Sequence, residues 1–476
     1  MPELPLNQIA ISVADVQRSQ RWYRDIFGYQ ESGGTYLFIP LLGSAKVQGV
    51  PDATSVCWWL MDQQEFFQIE LFQFRRPEAR TLPDDWRPCD IGYTTIGVHV
   101  VDFDGTLERL ARRRTALLSE PIGERGARRV CVRDPDGVLI EVMEDDPRSG
   151  DRRHRPYAEV PVVTRFVTLS VPDLDRARRT WIEVLGLPEV TDVRLHGPQH
   201  EALWGLAGAT RESFVVRAGD AFIEVVQYVD PVGSPWPHGY RISDHGLLNI
   251  ALGLRTYDEL EDLVAACEAA GIPPNAPPPT TLKPFWSCSY VNDPMGFSIE
   301  LLYAAKPGKK RLANPGNLFE LGFRPTRAPI TRARASQVVG APPERVWQVL
   351  VDHEALPTWS PFDRCEIVSR PDDGGEVGTV RRLSGGPARL GLTETIVVAE
   401  EPYRLEYSAE GAPGQTFYHG FVTLDALPGG GTRLTWEGQF RSRLPGATAA
   451  TTMMLRSLVH GLAVRAERPV VEVVGT

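Results

Sequence analysis

The sequence predicts an α+β fold in which a β-α-β-β-β module occurs four times, in two tandem pairs, ahead of a different C-terminal domain. A repeated turn signature is the first observation. The segments Asp134–Gly137 and Asp293–Gly296 share the pattern Asp-Pro-x-Gly, and Glu141 and Glu300 stand four residues after the glycines. A glutamate just after such a tight turn lies in a strand, where it can bind a metal or move a proton.

A second pair of signatures marks the start of each half. Val13–Val16 leads into a segment containing Trp22, and Val171–Leu174 leads into a segment containing Trp181. In both halves an alternating apolar strand precedes the signature, and apolar residues three and four positions apart follow it. The order of strand, helix and three further strands therefore restarts at corresponding points.

Apolar periodicity and turn residues predict the elements of the four modules. In the first half, strands are expected at 6–13, 35–40, 55–61, 65–74, 94–101, 128–133 and 137–143, and helices at 16–27 and 104–116. In the second half, strands are expected at 163–171, 200–205, 212–217, 221–228, 247–254, 286–291 and 297–303, and helices at 174–185 and 257–270. Polar segments rich in proline and glycine predict linkers at 146–161 and 305–328.

The last 150 or so residues follow another pattern. A strand at 330–339 precedes a short helix, which Pro342-Pro343 opens in its first turn. Antiparallel strands are then expected at 362–370, 376–384, 391–399, 403–409, 416–425 and 432–441, and a long helix at 446–467. Many strands followed by one long helix predict a sheet that grips a helix.

Composition limits the classes of function. The 476 residues suggest two to four domains, and the net charge of −10 disfavours nucleic acids and anionic membranes as partners. No apolar run reaches the length of a membrane span, and no secretion signal is visible. Six scattered cysteines without a Cys-x-x-Cys pair predict reduced thiols and a cytoplasmic protein. We expect a small-molecule substrate and allow for a homodimer.

The repeated modules resemble the vicinal-oxygen-chelate superfamily, which includes glyoxalase I, methylmalonyl-CoA epimerase, extradiol dioxygenases and the fosfomycin and bleomycin resistance proteins. The resemblance implies one domain at 1–146 and a second at 162–304, each a barrel of two paired modules. Residues 328–476 resemble the START-like SRPBCC class, which includes polyketide cyclases and dehydrases. The segments Pro342–Trp347 and Gly430–Trp436 carry that similarity, which implies a helix-grip domain around an apolar cavity.

The superfamily takes metal ligands from the first and last strands of each module. In the first pair this implies Gln8, Glu70 and Glu141 as metal ligands, with Thr95 where a histidine would be expected. His99 is four residues from Thr95, about 13 Å at ~3.3 Å per residue, so it is a ligand only if the strand register is shifted. Otherwise we expect it to line the cavity and contact substrate, or to be hydrogen-bonded within the sheet. An all-oxygen ligand set favours one divalent ion, Mg²⁺ or Mn²⁺, with Fe as a further option.

The second pair offers Phe166, Glu224, Asn249 and Glu300 at the matching positions. Phenylalanine cannot bind a metal, so we predict a metal-free pair. If the two glutamates face each other in a dry barrel, their repulsion raises one pKa and they can pass a proton. The alternative is that they are solvated or hydrogen-bonded remnants of the fold.

Aromatic and polar residues along the strands are candidates for substrate binding. Most strand aromatics pack in cores, but a subset at the mouth of a cavity suits a flat apolar ligand. The candidates are Trp59, His99, Asn249, Trp286, Tyr407, Tyr418 and Trp436.

The leading hypothesis is an enzyme that moves a proton next to a carbonyl in a hydrophobic, oxygenated substrate, aromatic or polyketide-like. This covers isomerases, epimerases, cyclases and lyases. Glu141 and Glu70 are the main catalytic candidates, and Glu300 and Glu224 are the others. The alternative is a metal-free protein that sequesters a toxic small molecule, and a third option makes the second pair a scaffold. A dioxygenase is disfavoured because the two histidine positions of its iron site are not filled.

Overall fold

A computed structural model describes most of the chain. The residues described are 4–34, 38, 44–50, 52–64, 67–83, 85–148, 160–280, 286–304, 331–371, 374–385, 390–412, 415–442 and 444–468. Most of the predicted strand at 35–40 and most of both predicted linkers lie outside them. Two compact units are formed, one by the chain up to residue 304 and the other by the chain from residue 331. Among the described residues, no helix has both the length and the apolar character needed to cross a bilayer.

The first unit contains four consecutive modules. The first module holds β1 (Leu6–Ser12), α1 (Val16–Phe27), β2 (Gln30–Gly34), α2 (Ser44–Gln48), β3 (Thr54–Met61) and β4 (Gln68–Arg76). The second holds β5 (Gly92–Val100), α3 (Phe103–Arg112), β6 (Arg129–Arg133) and β7 (Leu139–Met143). The third holds β8 (Val162–Ser170), α4 (Leu174–Arg178), β9 (Thr210–Ala218) and β10 (Ala221–Asp230). The fourth holds β11 (Gly246–Leu254), α5 (Tyr257–Ala269), β12 (Trp286–Asn292) and β13 (Ser298–Ala304).

The repeated sequence signatures have local structural causes. Asp15 caps α1, because its side chain accepts hydrogen bonds from the backbone N–H groups of residues 17 and 18. Asp134 and Asp293 each accept two backbone N–H groups of their own turn, and Gly137 and Gly296 take the left-handed φ values of 92° and 94° that the turn needs. Each turn therefore leads directly into a strand that carries the glutamate, β7 with Glu141 or β13 with Glu300.

The modules pair in a nested order, which corrects the tandem pairing that we predicted. One sheet has the order β12-β13-β11-β1-β4-β3-β2 and joins the first module to the fourth. The other has the order β6-β7-β5-β8-β10-β9 and joins the second to the third. Strands from 1–146 and from 162–304 therefore share each sheet, and within the described residues both sheets are open and not closed barrels.

One predicted strand is a helix. Residues 200–205 were expected to extend, but Pro198–Trp204 form a 3₁₀ helix. Proline at its start has the backbone angle that a helix needs and no N–H to lose. Leu203 and Trp204 then pack together on Cys131 and Leu139, so both apolar residues face the core where a strand would separate them.

The second unit has the predicted helix-grip arrangement. Its elements are β14 (Thr331–Val339), α6 (Pro343–Val351), β15 (Arg364–Ser369), β16 (Val380–Gly385), β17 (Leu390–Glu400), β18 (Arg404–Glu410), β19 (Gln415–Ala426), β20 (Thr432–Ser442) and α7 (Ala447–Glu467). The strands form one antiparallel sheet in the order β14-β20-β19-β18-β17-β16-β15. Leu455, Leu458 and Leu462 of α7 join the core with Trp436 of β20.

Candidate functional site

The nested pairing regroups the predicted site residues into two sets. Gln8 and Glu70 lie on the sheet that carries Asn249 and Glu300, and we call these four residues the one–four site. Glu141 lies on the other sheet, so the predicted metal set of Gln8, Glu70 and Glu141 is not assembled. Its companions are Thr95, Phe166 and Glu224, which with Glu141 form the two–three site.

Strand register sets the four side chains of the one–four site on adjacent strands. Ala10 of β1 pairs with Glu70 of β4 on one side and with Asn249 of β11 on the other. Ala251 of β11 pairs with Glu300 of β13 on one side and with Gln8 on the other. The two modules thus contribute an amide and a carboxylate each. All four side chains belong to buried residues.

Glu70 is held by its neighbours on one oxygen only. The indole Nε1 of Trp59 donates to its Oε1 at 2.9 Å, and Cys57 Sγ donates to the same oxygen at 3.4 Å. Its Oε2 is buried and has no hydrogen-bond partner among the described residues. Gln8 Nε2 donates to Gln68 Oε1 at 3.0 Å, which fixes the amide beside it.

Glu300 faces the same space from the fourth module. Tyr290, Cys288 and Asn249 lie around it, and they oppose the rise in its pKa that burial causes. Burial also raises the pKa of Glu70, and the charge of Glu300 raises it further. Glu300 Oε2 and Asn249 Oδ1 have no hydrogen-bond partner within the described ranges. Two buried carboxylates without a cation require either a shared proton or a bound positive ion.

These residues fit a divalent metal ion. Free oxygens on Glu70, Glu300 and Asn249 and the amide of Gln8 make an all-oxygen donor set of the kind that Mg²⁺ and Mn²⁺ prefer. No cluster of three or more His, Cys, Asp or Glu side chains suited to a metal occurs in the described part of the chain, so both amides are needed. Burial raises the pKa of Cys288 well above its usual value, so this nearby thiol stays protonated.

The two–three site supplies its own cation. His196 lies between the two glutamates, with Nδ1 2.7 Å from Glu224 Oε2 and Nε2 3.2 Å from Glu141 Oε1. Arg129 Nη1 donates to Glu141 Oε1 at 3.1 Å, and Arg211 Nη2 donates to Glu224 Oε1 at 3.2 Å. Each carboxylate is therefore paired with both the histidine and an arginine.

Charge balance explains the pKa values in this cluster. Glu224 and Glu141 outweigh burial and raise the pKa of His196 to about 9. Burial acts to raise the pKa of both carboxyls. His196 and Arg129 lower the pKa of Glu141, and Arg211 and His196 lower the pKa of Glu224. At neutral pH His196 is therefore an imidazolium that lies between the two carboxylates.

The two–three site therefore does not fit a metal ion. Thr95 and Phe166 fill the other two ligand positions, and the Phe166 ring packs against the His196 ring with 4.9 Å between centroids. Glu141, which the sequence suggested as a ligand, has its charge satisfied by His196 and Arg129.

His196 was missed by reasoning from sequence because it lies in a loop. The ligand positions that the resemblance implies lie in strands, and His99 is the histidine near one of them. His99 lies beside Met143 and Val163, two residues along β5 from the Gly97–Glu141 pair. One sequence feature could have pointed to His196. It stands two residues before Pro198, which opens the 3₁₀ helix.

The remaining predicted binding residues fall at two places. Asn249 belongs to the one–four site, Trp59 donates to Glu70 of that site, and Trp286 packs against the apolar cluster that contains Cys288 and Tyr290. The others lie in the second unit. Its interior aromatic residues are joined, since Trp436 Nε1 donates to Tyr407 Oη at 2.9 Å and the rings of Tyr407 and Tyr418 are 6.1 Å apart.

The second unit also buries a charged group that sequence reasoning missed. Arg381 is 1% exposed and donates to Glu394 through Nε and Nη2, each at 2.8 Å from Oε2. Its Nη1 is 2.8 Å from His353 Nδ1, and the guanidinium lies 5.9 Å from the centre of the Tyr407 ring. The interior of the helix-grip sheet thus combines aromatic walls with a buried ion pair.

Comparison with known families agrees with both resemblances. Residues 7–132 match the family model of the glyoxalase, bleomycin resistance protein and dioxygenase superfamily. Residues 331–467 match the model described as polyketide cyclase, dehydrase and lipid transport. Both predicted families are thereby confirmed for these segments. No curated protein sequence matches the chain.

Solved structures with related folds cover the two units separately. Glyoxalase I from Zea mays is 15% identical, with 63% of this chain and 92% of that chain covered and a TM-score of 0.43. A putative dioxygenase from Bacillus subtilis is 14% identical, with coverages of 64% and 86% and a TM-score of 0.42. A START superfamily protein from Mycobacterium smegmatis is 20% identical, with coverages of 29% and 97% and a TM-score of 0.25. At these scores the similarities carry no argument about function.

Proposed function

Because the chain joins a glyoxalase-superfamily segment to a polyketide-cyclase-type segment, we propose that it is an enzyme acting on a small, largely apolar, oxygenated molecule. We place its chemistry at the one–four site, with one divalent metal ion bound by Gln8, Glu70, Asn249 and Glu300. The observation that supports this is the pair of buried carboxylates, Glu70 and Glu300, each with an unpartnered oxygen and no described cation beside them.

In this proposal Glu70 and Glu300 have different roles. When bound, a divalent ion acts as a Lewis acid on two neighbouring substrate oxygens. Trp59 and Cys57 fix one oxygen of Glu70, which makes Glu70 the positioned ligand. With Glu70 fixed in this way, Glu300, whose Oε2 has no hydrogen-bond partner among the described residues, is the carboxylate that would take a proton from the carbon next to a carbonyl and return it. The reaction class is isomerisation, epimerisation, cyclisation or elimination.

The second unit complements this chemistry in the proposal. Its interior, with Tyr407, Tyr418, Trp436 and the Arg381–Glu394 pair, holds the substrate or product or carries out a second step. Sites on one chain raise the local concentration of an unstable intermediate. The cytoplasmic location and the homodimer stay predictions.

Metal content tests the proposed site. We expect the protein, purified without chelator, to hold close to one equivalent of Mg, Mn or Fe by inductively coupled plasma mass spectrometry. Glu300→Gln and Glu70→Gln are expected to lose that metal, because each removes one of two anionic ligands. Glu141→Gln, the matching change at the two–three site, is expected to keep it, as is Glu108→Gln at the exposed surface of α3.

Two results would contradict the metal proposal. The first is wild-type protein that takes up no metal even after incubation with Mn²⁺. The second is loss of metal in Glu141→Gln together with its retention in Glu300→Gln, which would return the metal to the site predicted from sequence.

A sequestering protein is the second candidate, because both carboxylates of the two–three site are engaged in ion pairs and neither is free for proton transfer.

Deuterium exchange distinguishes an enzyme that transfers protons from a protein that only binds its ligand. We expect the enzyme to exchange the CH₂ protons of 2-hydroxyacetophenone, an aromatic α-hydroxyketone, in D₂O, as followed by NMR. Exchange should fall at least ~100-fold in Glu300→Gln, because the variant loses both a ligand of the proposed metal ion and a general base, which alone contributes about 10²–10⁴. Exchange equal to that of the buffer in the wild type would favour sequestration.

A further inference from the structure

A cavity of about 520 Å³ lies beside the His196 cluster of the two–three site. Part of its wall is apolar, formed by Val190, Val193, Phe214 and Val215. The cavity is lined by residues of the third module, and the cluster also includes Glu141 and Arg129 of the second module. A site of this size and lining suits a small organic molecule.

The carboxylates that line this cavity are already paired. Glu189 accepts from Arg178 at 2.5 Å, and Glu201 accepts from Arg211 at 2.6 Å and from Tyr228 at 2.9 Å. Glu224 Oε2 is 2.7 Å from His196 Nδ1. None of the three therefore presents an uncompensated negative charge to a ligand.

One cation of the lining lacks such a partner. Arg194 is exposed at the cavity, and its Nε donates to the backbone oxygen of His196 at 3.2 Å. Within the described residues no carboxylate pairs with its guanidinium. The cavity thus combines an apolar wall, a set of internally neutralised charges and one available positive group.

From these contacts we infer that the two–three site is a metal-independent pocket for an apolar molecule that carries a carboxylate or another anionic oxygen. The Arg194 guanidinium binds the anion, and the wall at Val193 and Phe214 receives the apolar body. His196 and the two arginines keep the glutamates neutralised, so the pocket needs no metal. This inference is independent of the function proposed for the one–four site.

Binding of 1-naphthoate in the presence of EDTA tests the inference, by isothermal titration calorimetry on the full chain. We expect binding to the wild type without metal. Arg194→Gln should weaken it by about 3- to 10-fold, since a partly solvated charge-assisted contact is lost. The neutral 1-naphthalenemethanol should bind wild type and Arg194→Gln alike. Arg179→Gln, an exposed arginine of the same module outside the cavity lining, is the matched control and should bind as the wild type.

Filling the cavity provides a second set of variants. Val193→Trp and Ser213→Trp add bulk at partly or fully exposed lining positions, so both should fold and both should abolish binding of either probe. Three results would overturn the inference. These are no naphthoate binding to the wild type, binding that EDTA removes, or binding unchanged in Arg194→Gln and in both cavity-filling variants. The first two concern the two–three pocket alone, so the metal content of the one–four site stays a separate measurement.

Discussion

Glu70 and Glu224 hold equivalent positions on the last strands of their modules, yet their surroundings move their pKa values in opposite directions. Burial favours the neutral form of both. At Glu224 the charges of Arg211 and His196 outweigh burial and lower the pKa, whereas at Glu70 the neighbouring Glu300 raises it further. The repeated carboxylate is therefore paired with positive charges in one site and keeps an unpartnered oxygen in the other.

The stability of the first unit is expected to depend on pH through His196. Its pKa in the folded protein, about 9, lies above the unfolded value of about 6.5, so its contribution is complete below about pH 6.5 and is lost as the pH rises through 9. The shift corresponds to ~3 kcal/mol, and His196→Gln should lose about that amount or more at pH 6.5. Urea unfolding at pH 6.5 and pH 10 measures the effect, and the difference between wild type and variant should shrink at pH 10.

His200 is the control for that prediction. Burial, Arg129 and His196 lower its pKa to about 4, so it is neutral at both pH values. His200→Gln should therefore give a stability difference that is nearly the same at pH 6.5 and pH 10. An effect of His196→Gln that did not change with pH would show that the imidazolium is absent.

At the scale of elements, the short helix Pro198–Trp204 is the element that we predicted wrongly beside the two–three site. We predicted a strand at 200–205, and the ligand positions that the resemblance implies also lie in strands. The 3₁₀ helix Pro198–Trp204 instead turns the chain so that His196, just before it, reaches both glutamates. A segment of six residues is too short for its sequence pattern to separate a strand from a short helix, because packing partners decide between them.

Glycines in the C-terminal sheet make room for its interior tyrosines. A Cβ on Gly420 would lie 2.2 Å from the Tyr407 ring, so Gly420→Ala must displace a fully packed side chain. We expect a loss of about 1–3 kcal/mol, as is usual for overpacking. Differential scanning calorimetry should show it as a lower transition temperature of the second unit.

Gly391 on β17 is the matched control. A Cβ there would meet nothing within 4 Å, and alanine restricts the unfolded chain more than glycine does. Gly391→Ala is expected to leave the transition unchanged or to raise it by an amount worth about 0.4–1 kcal/mol. Equal losses in both variants would mean that the backbone, and not Tyr407, is the cause.

At the scale of the whole molecule, the sequence predicted the elements and the families well but not the pairing of modules. Periodicity and turn motifs identify most strands from local residues, and that is why the four repeated modules and the helix-grip sheet were found. The partner of β1 is a long-range choice between similar first strands, β5 and β11, and no local signal distinguishes them. Gln8, Glu70 and Glu300 therefore stay predicted site residues, and the observed sheets give them other neighbours than we expected.

The nested strand order also has a consequence for synthesis. The sheet β6-β7-β5-β8-β10-β9 is built from one continuous stretch, Gly92 to Asp230, so a growing chain can complete it before the fourth module exists. The first module must wait for β11, which begins at Gly246. At about 5–20 residues per second that wait is on the order of ten to thirty seconds, with the edge of β1 open to other strands. During translation this edge is where we expect chaperones to engage the nascent chain, and the one–four site is the last part of the first unit to form.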